Sequence, residues 1–247
     1  MVDIHSHILP YVDDGSEDLE TSFEMLKAAS HCGTSEIVLT PHSNLYDGDK
    51  NYLYEMQFVF DAFKKKVEQK GIDIRMYLGG EIFVDESVVN LIRKNLLPTI
   101  NGSRFMMIEF DFYSSAAYIT DKVDAISRLG IVPIVAHPER YECIKRVHRV
   151  GIDIMNSGGL LQVNKGSITG EFGAVARQTA FELIYHKTAQ FIASDAHSIS
   201  SRTPEMELEY DIICEDFDEM TAQKLFDINP KAVVENGRLK ISRPVGF

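Results

Sequence analysis

Nine residues of metal-binding type recur along the chain close to the ends of short apolar runs: His5, His7, Asp14, His42, Glu81, Glu109, His137, Asp195 and His197. The first two flank Ser6, and the last two flank Ala196. In an extended strand, residues two apart point to the same side, so each pair can offer both side chains to one ion. Either pair alone is weak evidence, because a lone His after a strand is often only a hydrogen-bonded loop residue. The weight lies in the register that all of them share. Glu109 follows Phe105-Met106-Met107-Ile108 directly, and an unpaired carboxylate there is costly to bury, so it calls for a cation. Glu81, after Gly79-Gly80, is placed similarly. Asp14 has a second reading, as the cap of a helix over 17–30. Histidine and carboxylate donors without cysteine suit Zn²⁺, Mn²⁺ or Fe. Five histidines and four carboxylates are too many for one ion. Two or three ions with a bridging carboxylate are expected, and such clusters generate hydroxide near neutral pH and clamp phosphoryl oxygens.

Three further groups follow strand-like runs. Arg140 lies in His137-Pro138-Glu139-Arg140-Tyr141, and Arg202 lies five residues past His197. Guanidinium forks match phosphate geometry, so both are read as catalytic and substrate-binding groups rather than surface ion pairs. Asn164, before Lys165-Gly166, is read as a contact to substrate or to the groups behind the donors. A rival motif is Cys143-x5-Arg149, the spacing of cysteine-dependent phosphatases. Those enzymes wrap consecutive backbone N–H groups around phosphate, usually with glycine's help. This stretch has no glycine, and Glu142 before Cys143 disfavours a thiolate, so it is rejected as the catalytic centre.

The elements that must position these groups alternate. Strand-like runs are expected at 2–4, 36–40, 74–78, 105–108, 131–135, 160–163 and 190–193, several of them apolar at consecutive positions as in strands buried on both faces. Between them lie helical patterns. Leu19, Phe23, Leu26 and Ser30 share a face, as do Met56, Phe60, Phe63 and Val67 ahead of Gly71. Further helices are expected near 86–95, 119–129, 173–187 and 219–227. Alternating strands and helices make a parallel sheet, and seven strands with chemistry at their ends favour a barrel, whose active site lies at the C-terminal rim. Residues from about 203 to 247 are expected to pack on it as helices and a tail. The chain is read as a single domain over 1–247.

Composition narrows the partners. The formal net charge of −12 argues against nucleic acid and looks wrong for an anionic substrate, unless bound cations invert the local field. Three cysteines, widely spaced and odd in number, suggest reduced thiols. No run of 18 apolar residues and no basic, apolar leader is present, so the cytoplasm is the expected compartment and no membrane insertion is expected.

Taken in order, the motifs resemble a known family. His5-Ser6-His7-Ile8-Leu9-Pro10, Asp13-Asp14-Gly15, Thr40-Pro41-His42, Gly80-Glu81-Ile82, Ile108-Glu109-Phe110 and Ala136-His137-Pro138-Glu139-Arg140 resemble the polymerase-and-histidinol-phosphatase (PHP) superfamily. Gln162-Val163-Asn164, Ser194-Asp195-Ala196-His197 and Arg202 extend the match. Within it the chain is most similar to bacterial metal-dependent protein-tyrosine phosphatases of capsular and exopolysaccharide operons. The resemblance implies a distorted (βα)7 TIM-like barrel of PHP type with three metal ions, typically Mn²⁺, with Fe or Zn as alternatives. It implies one ion on His5, His7, Glu81 and Asp195, a second on Glu81, Glu109 and His137, and a third on Asp14, His42 and His197. It implies hydrolysis of phosphotyrosine on a membrane-associated tyrosine autokinase that regulates capsular or exopolysaccharide synthesis. The rivals are a histidinol-phosphate phosphatase or another small phosphomonoesterase, and a non-catalytic metal-binding scaffold. The loop Ser43-Asn44-Leu45-Tyr46 lacks the basic residues that some members carry there, which bears on peptide preference rather than on chemistry.

Overall fold

The computed structural model describes residues 1–43 and 51–246. Nine short strands are described: β1 (Val2–Asp3), β2 (Glu36–Leu39), β3 (His42–Ser43), β4 (Arg75–Leu78), β5 (Glu81–Phe83), β6 (Phe105–Glu109), β7 (Val132–Ala136), β8 (Leu160–Asn164) and β9 (Phe191–Ala193). All pairings are parallel, in two sheets ordered β1-β2-β4 and β3-β5-β6-β7-β8-β9. The second and third expected strands appear as β2 and β4, and each is followed by a further short strand, β3 and β5, that was not expected. Pro41 has no N–H, so the ladder of β2 ends there and the chain resumes as β3 in the other sheet. Gly79-Gly80 likewise separates β4 from β5. His42 and Glu81 therefore open short strands rather than trail them, and they are paired across β3 and β5.

Joined end to end, the strands form seven runs that neighbour one another in chain order around a distorted barrel. The last run meets the first through a single parallel bridge, Ser6 to Ala196. Two backbone bonds flank it: the Asp195 N–H donates to the His5 carbonyl at 2.8 Å, and the His7 N–H donates to the Ala196 carbonyl at 2.8 Å.

Side chains alternate across the runs as the pleat requires. Phe105 and Met107 of β6, Ile134 and Ala136 of β7, Leu160 of β8, and Phe191 and Ala193 of β9 form one apolar cluster with Val2, Ile4 and Val38. Ile100, Val233 and Val234 close that cluster. The opposite phase, including Met106, Ile108, Val135, Leu161, Val163 and Ile192, packs with the helices in a second cluster. The inward phase continues past the apolar residues into Glu109, Gln162, Asn164 and Asp195. The same alternation that fills the barrel thus aims polar groups across its rim.

Helix α1 (Leu19–His31) is capped by Asp18, whose carboxylate accepts the Thr21 N–H at 2.8 Å. Asp14 is not the cap. Helix α2 (Tyr52–Lys70) buries Phe60, Phe63 and Val67, and its chain ends at Gly71 as expected. The periodic helices near 86–95, 119–129 and 173–187 appear as α3 (Val88–Arg93), α4 (Ala116–Ser127) and, further on, Ala174–Tyr185. Between those last two lie helices too short for periodicity to reveal: α5 (Glu142–Arg146), α6 (Val150–Asn156) and α7 (Lys165–Thr169). The Ala174–Tyr185 helix is α8. The terminal segment adds α9 (Glu207–Asp216), α10 (Glu219–Gln223), a wide turn over Lys224–Ile228 and α11 (Asn229–Val234). Of the loop Ser43-Asn44-Leu45-Tyr46, the last three residues lie outside the described residues. Among the described residues, no helix is long and apolar enough to cross a membrane.

Candidate metal centre

The nine donor residues converge at the rim. Three overlapping groups have donor atoms within reach of a shared ion: His5, His7, Glu81 and Asp195; His42, Glu81 and Glu109; and His7, Asp14, His42 and His197. In the first group all four side chains are buried. The Nε2 atoms of His5 and His7 are 3.2 Å apart. Each lies 3.2 Å from Glu81 Oε2 and 3.4 Å from Asp195 Oδ1. Donors at 2.0–2.2 Å around a tetrahedral ion sit about 3.3–3.6 Å apart, so these separations are close to the edges of one coordination shell.

The second group differs in one respect from the set that the resemblance implies. His42 Nδ1 lies 3.3 Å from Glu81 and 3.2 Å from Glu109. His137 Nε2 approaches the same two carboxylates, at 3.0 and 3.7 Å. In the third group, Asp14 Oδ1 stands 3.4 Å from His42 Nε2 and 3.5 Å from His197 Nε2. Asp14 is two-thirds exposed, so this part of the cluster faces solvent.

A layer of hydrogen bonds aims the donors. His5 Nδ1 lies 2.7 Å from Gln162 Oε1 and His7 Nδ1 lies 2.7 Å from Asp13 Oδ2, so each ring donates from Nδ1 and turns Nε2 to the centre. Asp13 also accepts the N–H groups of Gly15 and His42, tying three parts of the rim together. His197 Nδ1 donates to the Asp195 carbonyl at 2.9 Å. The amide of Asn164, read from the sequence as a substrate contact or a supporting group, is fully buried. It donates to Asp195 Oδ2 at 2.5 Å and accepts from Gln162 Nε2 at 3.0 Å. Arg202 Nη2 meets the same Asp195 oxygen at 2.6 Å. Arg140 instead lies against the rings of Phe112 and Phe172. His137, Asp195 and Arg202 all have left-handed backbone, with φ of 37, 51 and 48°. Such conformations cost on the order of 1–3 kcal/mol each and concentrate where function demands a particular side-chain aim.

The electrostatics are those of a site built for positive charge. Burial disfavours the charged form of His5, but Glu81 and Asp195 outweigh it and push the ring up to about 9. His7 is raised well above the usual histidine range and His42 is raised as well, in each case against burial and through neighbouring carboxylates. Glu81 and Asp195 are held well below the usual carboxylate range, burial being overcome by the histidines. His197 goes the other way, to about 4, through burial and the adjacent charge of His7. Protons on the rings here stand in for cations. Two buried atoms aimed into the cluster, Asp195 Oδ1 and His197 Nε2, have no hydrogen-bond partner. Their lone pairs, the donor types and the spacing fit divalent metal ions.

Cys143 sits inside α5, half-buried, and burial pushes its thiol up; Glu142 adds to the effect. A helix offers phosphate no loop of free N–H groups at this position. Sequence reasoning gave no role to Asp13 or Gln162. Their signals were a second carboxylate beside Asp14 and a polar residue in the inward phase of a buried strand.

The chain matches the family described as capsular polysaccharide synthesis, CpsB/CapC, over residues 1–235. It is 30% identical to the tyrosine-protein phosphatase CpsB of Streptococcus agalactiae over 247 residues, covering 96% of this chain and 99% of that protein. Among solved structures it is similar to the metal-dependent tyrosine phosphatases YwqE of Bacillus subtilis and CpsB of Streptococcus pneumoniae. The TM-score there is 0.91 at 27% identity, with both chains fully covered. The fold also matches the histidinol phosphate phosphatase of Lactococcus lactis, solved with zinc, histidinol and phosphate, at a TM-score of 0.59 and 14% identity over 91% of this chain and 94% of that one. With the family's pattern spanning nearly its whole length, this chain belongs to the CpsB/CapC family of capsular polysaccharide synthesis proteins.

Proposed function

We propose that this chain is a metal-dependent protein-tyrosine phosphatase acting on a membrane-associated tyrosine autokinase of capsular or exopolysaccharide synthesis, in the cytoplasm. The observation that carries this reading is the convergence of eight donor residues, with His137 against Glu81 beside them and partnerless lone pairs among them, next to two arginines. Three ions, Mn²⁺ foremost with Fe or Zn as alternatives, would be held by His5, His7, Glu81 and Asp195; by Glu81, Glu109 and His137; and by Asp14, His42 and His197. His42 and His7 have a second nitrogen or a shared edge within reach of the neighbouring groups. When bound, such ions supply Lewis-acid charge and lower the pKa of water at the site.

The protein's own groups do the rest. Arg140, unpaired with any carboxylate among the described residues, offers its fork to the phosphoryl oxygens. Arg202, tied to Asp195, adds positive charge at the far edge of the cluster. Asn164 positions Asp195. Tyrosine's phenol has a pKa near 10, so it departs without a strongly placed general acid. Family membership supports the capsule assignment, and the phosphatases it resembles support the chemistry. The test compares metal-stripped and metal-reloaded protein on a phosphotyrosyl peptide and on histidinol phosphate. Reloading should restore peptide hydrolysis. Faster turnover of histidinol phosphate would assign the site to small phosphomonoesters, and loaded metal without turnover of either would leave a scaffold.

A further inference from the structure

Arg140 is gripped by rings rather than by a carboxylate. Its guanidinium carbon lies 4.5 Å from the centroid of Phe112 and 4.6 Å from that of Phe172. Ring faces attract the cation but consume none of its five N–H donors, so the plane is fixed while the charge stays available. A carboxylate partner would hold the arginine as firmly and cancel much of that charge.

Phe172 belongs to a short turn, Gly170-Glu171-Phe172-Gly173, between α7 and α8. Both glycines are left-handed, with φ of 85 and 92°, a region that side-chain-bearing residues avoid. The turn is closed at both ends: the Glu171 N–H donates to the Gly166 carbonyl at 2.8 Å, and the Gly173 N–H donates to the Gly170 carbonyl at 2.9 Å. Only two side chains project from it. Phe172 lies against Arg140. Glu171 accepts the backbone N–H of Arg202 at 3.2 Å, and the Arg202 carbonyl in turn accepts the His197 N–H at 2.8 Å. Phe112, the other ring against Arg140, stands edge-on to the His137 ring at 5.7 Å. One closed turn therefore touches both arginines, and each arginine also connects to a residue of the donor cluster.

We propose that the Gly170–Gly173 turn, together with Phe112, is a positioning device that sets the two arginines for a phosphoryl group; this rests on the phosphatase reading above. Phe172 and Phe112 fix the plane of Arg140, and Glu171 fixes the main chain that carries Arg202. Neither phenylalanine touches the reacting atoms.

The experiment measures inorganic phosphate binding by calorimetry on metal-loaded protein, alongside kinetics on a phosphotyrosyl peptide, for the wild type, Phe172→Leu and Phe172→Tyr. Loss of a partly desolvated cation–ring contact should weaken phosphate binding roughly three- to tenfold in Phe172→Leu. KM should rise by a similar factor, more than kcat falls, with metal content equal to wild type. Phe172→Tyr, which keeps the ring, should return within about twofold of wild type on the same scale. The proposal is overturned if Phe172→Leu binds phosphate as the wild type does, if its metal content falls in step with its affinity, or if tyrosine fails to rescue it. Should Phe172→Leu not fold, Phe112→Leu tests the other ring with the same readouts. A wild type that binds phosphate but does not hydrolyse the peptide sinks the tyrosine-phosphatase reading, and the clamp is then judged on phosphate binding alone. Normal peptide hydrolysis with an unaffected Phe172→Leu sinks only the clamp.

Discussion

Stripping the metal should invert how this protein's stability responds to pH. In the metal-free fold His5 is held at about 9, against an ordinary value near 6.5 in an unfolded chain. A group whose pKa is raised by folding contributes stability that is complete below the unfolded value and is lost as pH climbs through the folded one. The window is therefore pH 6.5 to 9. A gap of about 2.5 units corresponds to about 3 kcal/mol, at roughly 1.4 kcal/mol per unit. His5 is fully buried, so solvent does not dilute this effect. His7 is shifted in the same direction and reinforces it. His197, held at about 4, has the opposite sign: its contribution is present above 6.5 and fades as pH falls toward 4. Glu81 and Asp195, depressed by the fold, likewise contribute above the ordinary carboxylate range and lose that contribution on acidification. Metal-free protein should thus be most stable near pH 6.5. For a chain of this size about 3 kcal/mol moves the melting temperature by roughly 6–12 °C. Thermal melts of chelator-treated protein at pH 6.5 and 9 read this directly. With saturating metal the fall should vanish or reverse, because the ions need deprotonated ligands and bind more tightly as pH rises. A metal-free melting temperature that stays level or climbs from pH 6.5 to 9 would refute the reasoning.

Other perturbations separate the roles of individual groups. Asp13→Asn removes the carboxylate behind His7 and should weaken metal binding about 10–100-fold, read by competition with a chromogenic chelator, with activity recovering at saturating metal. Cys143→Ser should keep full phosphatase activity, whereas His42→Ala and Glu109→Ala should abolish it; activity that dies with Cys143 and survives chelators would remove the metal from the chemistry. Arg140→Lys keeps the charge but loses the planar fork, and should raise KM for a phosphotyrosyl peptide about tenfold with metal content unchanged. Tyr141→Phe strands the buried Phe110 N–H, which the hydroxyl accepts at 3.0 Å, and should cost about 1–3 kcal/mol in denaturant unfolding without changing bound metal.

The parallel α/β barrel was legible because its strands are apolar on both faces and its ligand-type residues recur at their ends. The helices α1 and α2 were legible from 3.6-residue spacing, and α3, α4 and α8 fall on stretches expected to be helical. The split of β2 from β3 and of β4 from β5 was not legible, since a two-residue strand carries no periodicity and the break depends on which neighbour each half finds. Helices α5, α6 and α7 escaped for the same reason: five to seven residues make at most two turns. At the centre, donor types could be read one residue at a time: eight of the nine fall into the three groups, and the ninth, His137, lies 3.0 Å from Glu81. The amides and carboxylates behind them could not, because the value of Gln162 or Asp13 lies in a contact with His5 or His7 that sequence distance conceals. The different restraint of the two arginines was invisible too. Nothing in the sequence around Arg140 and Arg202 says that one meets rings and the other a carboxylate.

The seam between the first and last runs rests on one bridge with two backbone bonds and on Ser194, whose N–H and hydroxyl donate to the Asp3 carboxylate, and His5 and Asp195 lie on either side of it. An ion shared by those two residues, as proposed, would tie a loop of about 190 residues, which in chain-entropy reasoning is worth about 5 kcal/mol, comparable to a disulfide spanning the same length. The ordering in time follows from the ordering in sequence. His5 and His7 emerge first during synthesis, but Asp195 and His197 emerge only when four-fifths of the chain has been made. The set proposed on Glu81, Glu109 and His137 is complete well before that point, but the set proposed on His5, His7, Glu81 and Asp195 is not, so capture of its ion and the joining of the seam would belong to the same late step of maturation.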